Sequence, residues 1–134
     1  MSPWRLVPVV IALLPAPATA APGTDAVAPS GQRVVLEEVL TEAQPFSEAV
    51  QVVVRLLAPA IAQEAPDDTA IRGDMDWACQ TWGIAAAETL DTAPDRVVVE
   101  MMAASVPRGQ ATPGIRRFFE TYRLEGATCI WELF

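Results

Sequence analysis

Residues 67–83 read DDTAIRGDMDWACQTWG and carry the pattern of an amphipathic helix. Asp67, Asp68 and Thr69 supply an N-cap and negative charge in the first turn. Apolar side chains then recur at the spacing of one helix face, at Ile71, Met75, Ala78 and Trp82. Gly83 predicts the end of the helix, because glycine is common just after a helix C-terminus. We therefore expect a helix from the Asp67 cap to about Trp82, with Cys79 beside its apolar stripe.

Runs rich in β-branched and apolar residues lie on both sides of this helix and are typical of strands. Two precede the helix and three follow it, over Arg33–Leu40, Ala49–Leu57, Arg96–Met102, Phe118–Leu124 and Ala127–Phe134. Turn residues at 44–47 and at 125–126 predict that the first two and the last two strands form hairpins. The order β-β-α-β-β-β predicts an α+β domain, with one helix packed on a five-stranded, mainly antiparallel sheet.

The first 20 residues have the three-part pattern of a secretory signal peptide. Arg5 gives a positive start, Leu6–Leu14 forms an apolar run too short to span a bilayer, and Ala18-Thr19-Ala20 is a small-residue cleavage site. We expect cleavage after Ala20, no transmembrane anchoring afterwards, and a periplasmic or secreted mature chain. Residues 21–31 are expected to be a flexible N-terminal arm, and residues 32–134 a single α+β domain.

The chain has two cysteines, Cys79 and Cys129. Export exposes them to an oxidising compartment, so a disulfide is the simplest interpretation and two separate buried thiols are the alternative. Alternation along the last predicted strand puts Cys129 on one face with Trp131 and Leu133. If that face meets the helix, the bridge pins the helix to the sheet.

The composition excludes several chemistries. The chain has a formal net charge of −8 at pH 7 and contains no His, no Lys and no Asn. Without His and Lys there is no Ser-His-Asp triad, no Schiff base and no imidazole metal site, and only carboxylates remain as general acids or bases. The acidic balance and the scattered arginines argue against a nucleic-acid partner. We expect no cofactor and no metal, since the acids at 67, 68, 74 and 76 lack calcium-loop spacing and suit a solvated helix face.

Glu120 stands out among the carboxylates. Alternation places it on the same strand face as Phe118, Tyr122 and Leu124, which are expected to be core. A carboxylate buried there would have a raised pKa and the potential to act as a general acid. The structural alternative, which we favour, is an inward charge that guards an edge strand against pairing.

The sheet face away from the helix is predicted to carry three arginines among apolar and aromatic groups: Arg55, Arg117, Phe119, Arg123, Ile130 and Phe134. Guanidinium groups pair bidentately with carboxylate or phosphate and tolerate apolar surroundings. We expect this face to contact an unknown protein or other anionic partner in the envelope. The alternative is an ordinary solvated sheet face.

These observations favour a non-enzymatic interaction or accessory domain without catalytic residues. One alternative is a small-ligand carrier that binds between helix and sheet, where Trp77, Trp82 and Trp131 would line a pocket rather than fill a core. A carboxylate-based hydrolase is a third hypothesis, limited by the missing bases.

Four segments of the mature chain read PSGQ (29–32), VRLLAPAIA (54–62), FFETY (118–122) and TCIWE (128–132). Together they resemble a family of small exported alphaproteobacterial proteins of unknown function, and the resemblance implies no activity. An acetolactate synthase label carried by some relatives does not suit these residues. Thiamine-diphosphate enzymes of that kind hold magnesium with Gly-Asp-Gly and a later Asn pair, whereas here Gly73-Asp74 precedes Met75 and Asn is absent.

Overall fold

A computed structural model describes residues 2–12, 22–63 and 67–133. Within these residues the fold has six strands, β1 (Thr24–Val27), β2 (Arg33–Ala43), β3 (Val50–Leu57), β4 (Arg96–Met102), β5 (Arg117–Glu125) and β6 (Thr128–Glu132). They form one mixed sheet in the order β1-β2-β3-β4-β5-β6, in which β3 and β4 are parallel and the other neighbours antiparallel. The α+β class is confirmed, but the prediction of five strands is wrong.

The helix between β3 and β4 has three consecutive parts: α1 (Asp68–Ala78), a π-helical turn (Cys79–Gly83) and α2 (Ile84–Glu88). The Asp67 carboxylate accepts a hydrogen bond from the Thr69 N–H at 2.9 Å, which confirms the predicted N-cap. The predicted stop at Gly83 is wrong, because the helix continues beyond it. Gly83 is instead a point of close packing, since a Cβ there would lie 2.8 Å from Cγ1 of Val97.

The additional strand is β1, which lies within the segment expected to be a flexible arm. It pairs antiparallel with the start of β2. The turn between them is tied to α1, because the buried Asp74 carboxylate accepts hydrogen bonds from the Ser30 N–H (2.9 Å), the Ser30 hydroxyl (2.5 Å) and the Gln32 side-chain amide (2.8 Å). The expectation of a solvated helix face is therefore wrong for Asp74, whose burial is compensated by these three donors.

The two central strands, β3 and β4, are buried on both faces along most of their length. Parallel neighbours need a crossover connection, which the helix provides on one face of the sheet. The loop at 103–116 packs over the other face, where Val106 is buried. This double coverage explains why both strands are nearly continuous apolar runs.

A β-bulge in β2 changes which side chains face the helix. Pairing with β3 shifts between Leu36 and Glu38, so Glu37 is the extra residue. Before the bulge Leu36 lies on the helix side of the sheet, and after it Val39 does. Glu38 is thereby placed on the opposite face, beside Arg55.

The disulfide between Cys79 and Cys129 is present and joins the π-helical turn to β6. The adjacent Gln80 side chain adds two hydrogen bonds, accepting from the Cys129 N–H at 2.5 Å and donating to the Ala127 carbonyl at 3.1 Å. The predicted staple between helix and sheet is confirmed, and it holds the final strand at the sheet edge.

The N-terminal residues 2–12 have no regular secondary structure, and the predicted cleavage site at 18–20 lies outside the described residues. None of the helices in the described ranges is long and apolar enough to cross a membrane.

Candidate functional site

The predicted arginine face lies on the side of the sheet away from the helix, as strand alternation indicated, but it is not an open surface. Arg55 is only 3% exposed and lies beneath the loop at 103–116. Its guanidinium donates to the Val106 carbonyl of that loop and approaches the Met102 sulfur at 3.2 Å. The expectation that Arg55 contacts a partner is therefore wrong, because the loop covers it.

Arg55 belongs to a charge cluster with a buried centre and half-buried outer members. It consists of three arginines and three glutamates: Arg55, Arg108, Arg117, Glu38, Glu42 and Glu100. The centre is Glu100, which is fully buried. Its Oε2 accepts from Arg55 Nε at 2.8 Å and lies 3.4 Å from Arg108, while Oε1 lies 3.4 Å from Arg117. Arg55 also pairs with Glu38.

The ionisation of the cluster follows from these contacts. Hydrogen bonding to Arg108 holds the pKa of Glu42 below its ordinary value, and the same contact raises the pKa of Arg108. Burial opposes the charge of Arg55, but hydrogen bonds to Glu100 and Glu38 outweigh it, so its pKa is raised. Within the cluster three arginines face three glutamates. The cluster is thus an internal ion-pair network rather than an anion receptor.

The outer part of the predicted face is more exposed. Phe119 is 47% exposed, with the Arg117 guanidinium 5.2 Å from its ring centre. Arg123 is 45% exposed and pairs with Glu125 and Glu132, and Ile130 is half-buried opposite it. Phe134 lies outside the described residues. Inside this face the arginines are therefore engaged by carboxylates of the chain itself.

Glu120 lies on the helix side of β5, where alternation placed it, and is half-buried rather than buried. Its Oε2 accepts a hydrogen bond from the Trp131 indole N–H at 2.6 Å. Tyr122, two residues further along, is 1% exposed and donates its hydroxyl to Asp76 at 2.5 Å. Asp76, like Asp74, therefore accepts a hydrogen bond from a side chain outside the helix and is not merely solvated.

The interior between helix and sheet, where the ligand-carrier hypothesis placed its pocket, is filled by fully buried side chains from both layers, including Met75, Cys79, Val97 and Val99. Trp77 and Trp82 pack edge to face with ring centres 5.0 Å apart. Hollows of about 220 to 360 Å³ lie around the rim. Of the three tryptophans that the hypothesis invoked, Trp82 and Trp131 each border one of them.

Sequence reasoning predicted the turn between β2 and β3 but missed the conformation and the exposure of Phe46 at its tip. Ser47 donates its N–H to the Gln44 carbonyl at 3.3 Å, which makes residues 44–47 a β-turn with Pro45 at the second position. Phe46 occupies the third position with φ of 60°, and its side chain is fully exposed. That geometry is the one a type II turn reserves for Gly or Asn. The signal was present in the sequence, since Pro-Phe occupies a turn where Pro-Gly is expected.

Comparison with known proteins gives a family but no activity. No curated protein and no solved structure matches the chain. A family model does match, over residues 10–134, and confirms the resemblance to an uncharacterised family without bearing on its taxonomic range or on any label its members carry. The chain belongs to the family of unknown function DUF6497.

Proposed function

We propose that the mature chain is an exported, non-enzymatic interaction or accessory domain of the cell envelope, which docks on a partner protein through the β2–β3 hairpin tip. The observation that carries the proposal is Phe46, a fully exposed aromatic side chain in a left-handed turn position.

Phe46 is unfavourable for the isolated fold in two ways. A non-glycine residue in the left-handed region costs about 1–2 kcal/mol relative to its usual conformations. Its side chain buries nothing in return, because the ring makes no packing contribution when fully exposed. Aromatic anchors that fill a pocket on a partner are a common source of binding energy at interfaces. A docking role accounts for both features of Phe46.

The charge around the tip indicates the chemistry of the partner. The neighbouring Glu48 is exposed, and the chain as a whole carries a net charge of −8, which becomes more negative once the leader with Arg5 is removed. An apolar pocket with a basic rim is complementary to this tip. The anionic partner favoured by the sequence is a poorer match, because the arginines that suggested it are paired internally.

Export is supported by the leader pattern and by the Cys79–Cys129 bridge, since disulfides persist in oxidising compartments. The non-enzymatic role is supported by the hydrogen bonds that the acidic side chains accept within the fold. Asp74, Asp76 and Glu100 are each bound by donors of the fold, so they serve structure. N-terminal sequencing of the exported chain should give Ala21, and recovery of a membrane-bound species that retains Met1 would contradict export.

Site-specific crosslinking tests the docking surface. A photoreactive benzoylphenylalanine replaces Phe46 in the exported protein of the native host, and the same group at Phe119 is the matched control. We expect a single defined adduct from position 46 that unmodified protein suppresses by competition, and none from position 119. An adduct confined to position 119 would contradict docking through the tip and place the contact on the β5–β6 surface. Identical labelling at both positions would contradict specific binding at the tip.

A second variant separates binding from folding. Phe46→Gly relieves the turn geometry and should melt at or above the wild-type temperature, while losing the ability to suppress the adduct. Phe119→Ser should retain it. Full competition by Phe46→Gly would contradict the proposal.

A further inference from the structure

A mixed polar and apolar groove of about 270 Å³ opens at the rim between helix and sheet. Its walls are Asp68, Ile71 and Arg72 of α1, Phe118 and Glu120 of β5, and Trp131 of β6. The volume is below that of sites for drug-sized molecules, roughly 300–1,000 Å³, so only a small ligand fits.

Two opposite charges meet at one indole ring in this groove. The Arg72 guanidinium carbon lies 4.4 Å from the Trp131 ring centre, and the Trp131 N–H donates to Glu120 at 2.6 Å. The hydrogen bond uses one carboxylate oxygen of Glu120. The Arg72 guanidinium is attracted electrostatically to the face of the Trp131 ring. This stacking does not use its N–H donors, which can therefore bond to other acceptors.

Arg72 differs from the arginines of the charge cluster. No carboxylate within the described ranges forms an ion pair with it, whereas Arg55, Arg108 and Arg117 each contact Glu100. It is also exposed, so it is accessible to a ligand. The groove therefore presents the guanidinium of Arg72, which has no acceptor among the described residues, next to the second carboxylate oxygen of Glu120.

We propose that this groove binds a small zwitterion of the α-amino-acid type with an apolar side chain. The ligand carboxylate pairs with Arg72, its ammonium group with Glu120, and its side chain packs on Phe118 and Ile71. A simple anion is disfavoured because Asp68 and Glu120 give the groove an excess of negative charge. A simple cation is opposed by Arg72, which already covers the face of Trp131.

The probe is L-leucine, titrated into the oxidised, isotope-labelled mature protein while the Trp131 indole N–H is followed by NMR. We expect a saturable shift of this resonance. Isocaproate lacks the ammonium group of leucine and isoamylamine lacks its carboxylate, so each should bind about tenfold more weakly or worse. Isocaproate binding as tightly as leucine would overturn the zwitterion assignment, as would the absence of any saturable shift.

Matched variants test the two charges. Arg72→Gln removes the guanidinium and its charge while keeping a polar side chain. Glu120→Gln removes one charge with little change of shape, and its amide carbonyl still accepts from Trp131. Each should weaken leucine binding about tenfold, the change expected for loss of one charge-assisted pair. Arg33→Gln is the control, because Arg33 is an exposed arginine of β2 paired with Asp25. Equal affinity of Arg72→Gln and wild type would refute the site.

This site is independent of the hairpin tip. Phe46→Gly should bind leucine with wild-type affinity, so the docking proposal and the groove proposal fail separately. Saturable binding of leucine would support the ligand-carrier hypothesis, with the ligand at the rim between helix and sheet rather than in the filled interior.

Discussion

Raising the pH should destabilise the fold through one side chain, Tyr122. It is 1% exposed, and its hydroxyl donates to Asp76 at 2.5 Å. Burial, and after it this hydrogen bond, raises the pKa of Tyr122 above its ordinary value of about 10. A phenolate would be desolvated and adjacent to a carboxylate, so the folded chain retains the proton.

The sign and size of the effect follow directly. Below about pH 10 both the folded and the unfolded chain carry the proton, so Tyr122 contributes no pH dependence. Above it the unfolded chain releases the proton and the folded chain does not, and the free energy of unfolding falls by about 1.4 kcal/mol per pH unit. By pH 12 the loss is about 2.7 kcal/mol, a large part of the 5–15 kcal/mol typical of a domain.

Few other groups of this chain titrate in the same pH range. Tyr122 is the single tyrosine, lysine is absent, and the two cysteines are bridged. Arginine titrates above the window and the terminal amine below it. Urea unfolding at steps between pH 9 and 12 should show the fall, and Tyr122→Phe should abolish it. Tyrosinate absorbance should rise together with the loss of far-ultraviolet dichroism. Tyrosinate formed near pH 10 in fully folded protein would refute the reasoning.

Three further predictions concern the interactions that hold the fold. Glu100→Gln leaves three arginines with two glutamates and should lower the free energy of unfolding by about 3–5 kcal/mol in urea titrations, whereas Asp25→Asn, which breaks an exposed pair, should change it by less than about 0.5 kcal/mol. Asp74→Ala removes the acceptor for three donors of the β1–β2 turn and should cost about 3 kcal/mol, with hydrogen exchange accelerated first in β1; equal acceleration throughout the sheet would contradict a local tether. Replacing Cys79 and Cys129 by Ser should cost about 2–4 kcal/mol by thermal unfolding, and an unchanged melting temperature would show that the staple is dispensable.

Local signals predict the elements that depend on local chemistry. The β-branched run Arg96–Met102 predicts a strand with the bounds that β4 has, because consecutive β-branched residues favour a strand over other secondary structure. The start of α1 is predictable because an Asp N-cap acts within two residues. The bridge between Cys79 and Cys129 was predictable from the cysteine count together with the expectation of export.

Elements that depend on distant partners escape prediction. β1 is only four residues long and becomes ordered by pairing with β2 and through Asp74, which is 44 residues away from Ser30. The local preference of Gly83 indicates a helix stop, whereas its role is set by the proximity of Val97. Neither contact leaves a periodic trace in the sequence.

The arginine face shows where alternation succeeds and where it fails. Period-two reasoning placed Arg55 on the correct side of the sheet, but it carries no information on whether a loop covers that side. A signal did exist: Arg55 and Glu100 each interrupt an apolar run of their strand, and in the parallel pair they are direct register partners. Opposite charges within two buried runs indicate an internal pair rather than a surface.

Most of the unusual side chains in the described chain are explained by the fold itself. Asp74 ties a turn, Asp76 receives the Tyr122 hydroxyl, and the buried Arg55 and Glu100 neutralise each other. Such interactions stabilise the fold, because removing either partner leaves a buried polar group unsatisfied. They account for Asp74 and Asp76, two of the acids whose spacing was compared with that of a calcium loop.

Phe46 and Arg72 are two described residues that these internal roles do not explain. Phe46 adopts a backbone conformation suited to glycine while burying none of its ring. Arg72 lies on an indole without a carboxylate partner among the described residues, in a chain with a marked excess of acids. Phe46 is unfavourable within the chain, Arg72 has guanidinium donors that its contact with Trp131 does not use, and both side chains are exposed. Gly would suit the backbone at the first position and an ion pair would use the donors at the second, and on this basis we propose binding at both.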